Sequence, residues 1–177
     1  AGAGVAAALI HPSETSASAN PKTWPAAGRS VAISSGNGVA TTALAVKLMT
    51  QQKLRPVSAA VQGVGLVEQD PNDLSVGLGG LPDENGRVTL DSACMDGPTH
   101  NAGSVGCIQD ILHPAQVAER VMDRTDHINL VGPGAKRFAL EQGFEETELL
   151  TEQTRKIWQK WLANRTEDDR LWPLGDV

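Results

Sequence analysis

Hydrophobic positions come in short blocks whose period changes along the chain. Val31-Ala32-Ile33-Ser34 is an apolar run that breaks at Ser35-Gly36-Asn37-Gly38, the pattern of a buried strand feeding a tight turn. Over residues 39–52, Ala43, Leu44, Val46, Leu48 and Met49 suit a helix buried on more than one side. Pro56 fits the first turn of a second helix, in which Val57, Ala60, Val61, Val64 and Val67 form one stripe at helical spacing. Helical signals stop at Asp70-Pro71-Asn72-Asp73, a cluster of turn formers.

The next segment, SVGLGGLPDENG at residues 75–86, holds four glycines and one proline, so it is no regular helix and needs unusual backbone angles. Residues 87–95 alternate in part and read as a strand leaving that loop. Residues 114–124 predict a short helix with Val117, Ala118 and Val121 inward. A strand at 128–131 is stopped by Gly132-Pro133-Gly134, and a helix at 135–142 is closed by Gly143. Thr151 is a good N-cap for a last helix, with Ile157, Trp158, Trp161 and Leu162 on one packing face. The alternation of strand and helix favours an α/β layered domain. Beyond Asn164 no period is visible, and an exposed connector is expected over residues 164–177.

Composition narrows the functional classes. The 177 residues carry 15 Lys plus Arg against 21 Asp plus Glu, a net charge of −6. An acidic surface argues against nonspecific nucleic-acid binding, which needs cations to neutralise phosphates. No stretch approaches the ~20 apolar residues that span a bilayer, so no membrane partner is expected. The apolar AGAGVAAALI start, followed by a polar stretch to Ala17-Ser18-Ala19, has the order of an export-signal remnant over residues 1–19 with cleavage after Ala19. The expected location is therefore periplasmic or secreted; the competing reading is a low-complexity terminus of a cytoplasmic chain. Residues 20–29, with two prolines and a glycine, read as a linker.

The reactive side chains give no motif by themselves. Cys94, His100 and Cys107 lack the close pair that zinc sites use, and the two cysteines are expected to be buried free thiols. His113 near a helix start and His127 before a strand are read as structural or surface residues. Gly63 and Gly65 do not form a GxGxxG turn at a strand-to-helix junction. Asp83-Glu84-Asn85-Gly86 is a turn without the carboxylate ladder of a calcium loop, and Asn164-Arg165-Thr166 matches the short glycosylation pattern that recurs by chance. What remains is a glycine loop at 75–80, with a strand behind it and an MDG turn. That combination holds backbone close to something without naming a reaction.

Several blocks together resemble one family. They are VEQDP from Val67, SVGLGGLPDENGRVTLDSACMDG from Ser75, GSVGC from Gly103, HPAQVAERVM from His113 and LVGPGAKRFALEQGF from Leu130. In this order they are similar to the N-terminal α-subunit of the glycosylasparaginases (aspartylglucosaminidases), which stand with the isoaspartyl peptidases and plant-type asparaginases among the N-terminal nucleophile hydrolases. The resemblance is collinear from about Ser30 to Leu162 and implies that residues 30–163 are the α portion of a four-layer αββα sandwich. It further implies a precursor that cuts itself before a threonine. The new N-terminal Thr, on the β-subunit, would then attack the substrate amide with its own α-amine as base.

The resemblance also carries residue roles. Ser75 matches a family serine packed near the nucleophile and is expected to support it by a hydrogen bond; the competing role is a hydroxyl that only stabilises the loop. Asn37 aligns in the substrate pocket, where Gly36 replaces a family Trp and so removes one pocket wall. Gly77, Gly79 and Gly80 shape the loop beside the site. The implied substrate is N4-(β-N-acetylglucosaminyl)-L-asparagine. The alternatives are an isoaspartyl dipeptidase or L-asparaginase of the same family, and a noncatalytic binding or assembly protein of the same fold. No metal and no cofactor are expected, apart from a structural sodium ion that the asparaginase branch holds on carbonyls of the 75–80 loop. The implied partners are the β-subunit from the same precursor and a second αβ pair, giving (αβ)2.

Overall fold

A computed structural model describes residues 30–166. The expected signal remnant (1–19), the linker (20–29) and residues 167–177 of the connector lie outside the described residues. The order is a single 3₁₀ turn, Gly36–Gly38, then α1 (Val39–Gln51), α2 (Pro56–Glu68), β1 (Thr89–Asp96), β2 (Asn101–Gln109), α3 (Pro114–Arg124), β3 (Asn129–Val131), α4 (Gly132–Glu141) and α5 (Glu152–Asn164). This is a mixed α/β architecture around one small sheet.

The sheet has the order β1-β2-β3, with β1 antiparallel and β3 parallel to the central β2. Opposite Asp91, β2 contributes both Gly106 and Cys107, a bulge in which Cys107 takes φ 51° and its N–H donates to Asp91 Oδ1 at 2.7 Å. Helix α3 covers β1 and β2 so closely that a Cβ on Gly103 would sit 2.2 Å from the Ala118 carbonyl oxygen. Val105, Ile108, Val117, Ala118, Val121 and Ala139 fill the space between sheet and helices. Burying such a set stabilises the fold by about 25 cal/mol for each Å² of apolar surface removed from water.

Only one face of the sheet is covered in this way. On the other, Met95 is 63% exposed and Val131 58%, and Ile128 beside them is 68% exposed. Helices α1 and α2 form a hairpin at the edge of the domain, with Ala45 and Leu48 against Ala59. Among the described residues no helix is long and apolar enough to cross a membrane.

Several expectations need correction. Residues 31–34 form no strand: Val31 and Ile33 are 73% and 95% exposed, because no described neighbour offers them a hydrogen-bonded ladder. The stripe on α2 is shifted, since Val57, Ala59, Val61, Gly63 and Gly65 are buried whereas Ala60 and Val64 are exposed. Ala59 and Gly63 face α1, where a Cβ on Gly63 would meet the Thr41 carbonyl oxygen at 2.7 Å, while Gly65 faces His113 and Gln116 at the start of α3. Gly132-Pro133-Gly134 opens α4 instead of preceding it, as proline suits a first turn. Cys107 is exposed and Cys94 half-buried, both as free thiols, because the bulge turns Cys107 out of the core. The face of α5 is only partly packed: Ile157 and Trp161 stay 39% and 38% exposed while Trp158 and Leu162 are half-buried, because the core ends at Leu150 and Thr154.

Candidate functional site

The glycine loop is folded back on the C-terminal end of α2. Gly77 has φ 67° and lies so close to the Glu68 backbone that a Cβ would stand 2.0 Å from its carbonyl oxygen. Gly79, at φ 83°, packs on Pro71, and its N–H donates to the Leu149 carbonyl at 2.8 Å. Leu78 N–H donates to the Glu68 carbonyl at 2.8 Å, and a Cβ on Gly80 would stand 3.2 Å from Val88 Cγ1. These three positions therefore accept glycine for two distinct reasons, left-handed backbone at Gly77 and Gly79 and close packing at Gly80.

Glu68 anchors this junction from below. Its side chain is 1% exposed, accepts the Ala115 N–H at 3.1 Å at the start of α3, and meets His113 Nδ1 at 2.9 Å. Gln69 Nε2–H points at His113 Nε2 at 3.0 Å, which makes Nε2 the acceptor and leaves Nδ1–H to donate to Glu68. His113 is thus structural, as its place at the helix start implied. The end of α2, the glycine loop and the start of α3 form one hydrogen-bonded block.

The exposed side of the block collects polar groups on one carboxylate. Asp73 Oδ1 accepts the Ser75 N–H at 3.0 Å and the Ser75 hydroxyl, while Oδ2 accepts Asn37 Nδ2–H at 2.7 Å. Ser35 Oγ–H completes the set by donating to Asn37 Oδ1 at 2.6 Å. The Ser75 hydroxyl, then the Asn37 amide, then the Ser75 N–H hold the Asp73 carboxyl below its ordinary range. With three donors on one carboxylate, Asp73 holds Asn37 and Ser75 in place relative to each other. Ser75 spends its proton on Asp73, which leaves its oxygen lone pairs facing outward as acceptors.

Asn37 and Asp73 both border a cavity of about 240 Å³, with Ala40 and Leu66 among its other walls. Gly36 lies beside Asn37 in the chain, and a Cβ built on it would find nothing within 4 Å. The structure thus brings Asn37 and Ser75 together through Asp73, leaves Gly36 in open space next to them, and sets Gly77, Gly79 and Gly80 behind as the frame. Sequence reasoning missed Asp73 and Glu68. Asp73 sat in a turn cluster where its spacing to Ser75 is an ordinary turn signal. Glu68 gave no signal, since a buried carboxylate at a helix end looks like a solvated one in sequence.

In the 75–80 loop the oxygen donors for a sodium ion are the backbone carbonyls and the Ser75 hydroxyl. The Gly77 carbonyl already accepts Gly80 N–H at 3.1 Å, and Leu74, just before the loop, accepts Leu81 N–H at 3.1 Å. Among the described residues no three His, Cys, Asp or Glu side chains group as metal ligands.

A layered α/β chain with a glycine loop that fixes an Asn–Asp–Ser cluster is matched from residue 19 to residue 172 by the family described as Asparaginase, and the chain belongs to that family. Among its relatives, the N(4)-(Beta-N-acetylglucosaminyl)-L-asparaginase of Elizabethkingia miricola is 50% identical over 108 residues, covering 61% of this chain and 32% of that protein. The Mus musculus protein of the same name is 37% identical over 111 residues, 63% of this chain and 32% of its own length. The chain spans about a third of the length of these curated relatives.

Proposed function

We propose that the chain is the α part of an autoprocessed amidohydrolase that cleaves N4-(β-N-acetylglucosaminyl)-L-asparagine to give aspartate. The observation that carries this reading is the Asn37–Asp73–Ser75 cluster on its glycine frame, in a chain of this family whose relatives bear that name. In the reaction, the N-terminal Thr of a β part supplies the nucleophile and its α-amine takes the proton. Asn37 contacts the substrate. Ser75, fixed by Asp73, accepts a hydrogen bond near the threonine. No step needs a cofactor. The bare face of the sheet supports a four-layer sandwich in which a second sheet from the β part covers Met95 and Val131. A heterodimer paired again by two-fold symmetry, (αβ)2, and export of the protein complete the reading.

The test is expression of the complete gene product, with intact mass, N-terminal sequencing and hydrolysis of glycosylated asparagine. Two chains, one starting at Thr, with sugar-linked asparagine preferred, is the expected result. An uncut, inactive chain overturns it in favour of a noncatalytic protein of the same fold.

One observation favours a second reading. The open space at Gly36, next to Asn37, holds no aromatic side chain. An isoaspartyl dipeptide or free asparagine would then be the better substrate, and a preference for β-aspartyl dipeptides in the same assay decides for it.

A further inference from the structure

Helix α5 and the loop before β1 enclose an apolar groove that the core leaves unfilled. Leu81 and Pro82 form one side, Ile157, Trp158 and Trp161 the other, around a volume of about 330 Å³. The groove is held open by specific contacts. Trp158 Nε1–H donates to the Glu84 carbonyl at 3.3 Å, and its ring lies so near Gly86 that a Cβ there would come within 3.0 Å. At the mouth, the Arg165 guanidinium stands 5.7 Å over the Trp161 ring and pairs with Glu84 at 3.3 Å. The chain therefore leaves α5 at the rim of the groove.

We propose that residues 171–174, Leu-Trp-Pro-Leu, dock in this groove and anchor the connector to the α part. They lie outside the described residues, and three of their side chains are large and apolar in a segment otherwise rich in charge. Leu171 follows Thr166 by five positions, a reach of up to roughly 17 Å when extended, and Trp161 lies less than two helical turns before Thr166. So short a tether sets an effective concentration on the order of millimolar, which favours this occupant over a free partner of equal affinity. Charge is compatible with the placement, since docking would bring Arg170 toward the carboxylates of Asp83 and Glu84, which are exposed. Pro173 limits the unbound conformations and lowers the entropy lost on docking.

The test is limited trypsin digestion of the complete protein, following the cut after Arg170 by mass spectrometry, because cleavage of this kind tracks the population of the undocked segment. Ile157→Lys in the groove and the pair Leu171→Asp with Leu174→Asp in the segment are each expected to speed that cut by about tenfold or more. Combined, they should do no more than either alone. The segment variant alters no residue of the described fold, so the result does not depend on α5 tolerating the lysine. Multiplying effects, or an Arg170 cut indifferent to Ile157→Lys, overturn the inference. So does a smaller particle on size exclusion for Ile157→Lys with the cut unchanged, which would make a second copy the occupant. Self-cleavage and hydrolysis are scored on the same preparations, so an active enzyme with an indifferent cut sinks the docking alone.

Discussion

Asn37 and Asp73, 36 positions apart in the chain, are joined by an amide-to-carboxylate hydrogen bond of 2.7 Å. That bond ties the segment before α1 to the glycine loop after α2, and it positions Ser75 on the same carboxylate. Replacing Asp73 with Ala frees all three groups at once. In the complete protein, Asp73→Ala is expected to lower kcat/KM for the amide substrate by on the order of tenfold to a hundredfold, since hydrogen bonds to a charged group contribute about 1.5–3 kcal/mol. Melting temperature should move little, because the cluster faces solvent; a large fall in stability with unchanged kcat/KM would contradict the assignment.

The acid behaviour of the cluster follows from the same contacts. Ser75 and Asn37 hold the Asp73 pKa below its unfolded value, so the stabilisation is complete above about pH 4 and is lost only as pH falls through the lower folded-state value. An NMR titration of the Asp73 carboxyl should show a midpoint below the ordinary carboxylate range. Ser75→Ala should move that midpoint upward, and an unshifted midpoint in both proteins rejects the account.

Two glycines of the site should respond in opposite ways to a side chain. Gly77→Ala places a Cβ against the Glu68 backbone at a positive φ, and its expected cost is about 3 kcal/mol or more by chemical denaturation. Gly36→Trp enters open space, so stability should hold within about 0.5 kcal/mol. The new indole should also raise the preference for glycosylated asparagine over β-aspartyl dipeptides. A Gly36→Trp protein with unaltered preference removes Gly36 from the pocket.

Glu68 offers a test of the block beneath the loop. Glu68→Ala leaves the Ala115 N–H and His113 Nδ1–H without a partner in a buried place, at an expected cost of about 1–3 kcal/mol. Glu68→Gln keeps one acceptor for Ala115 and should cost less. Equal losses in urea unfolding, with equal m-values, would mean that these hydrogen bonds do not matter.

How much of this was legible in the sequence depended on whether the signal was local. Thr151 caps α5 by accepting the Thr154 N–H, and Pro114 opens α3 with Val117, Ala118 and Val121 fully buried; caps and amphipathic spacing are written within a few residues. The central strand β2 passed unnoticed because Gly103 and Gly106 interrupt its alternation, and only the approach of Ala118 explains why Gly103 must be small. Residues 31–34 looked like a strand because β-branched residues carry the signal whether or not a neighbour is present to pair. The site divided in the same way. The loop glycines and Ser75 stood out as a motif, whereas the Asn37–Asp73 contact depends on how α1 and α2 fold together, which no spacing records.

The uncovered face of the sheet bears on the birth of the protein as well as on its final form. On the proposed αβ reading the covering sheet is made after this part of the chain, and at roughly 5–20 residues per second it arrives well after the face has emerged from the ribosome. For that interval Met95, Ile128 and Val131 stand in water beside the short strand β3. The nascent chain is then a natural client for a chaperone, and slowing translation just after these residues should lengthen its hold.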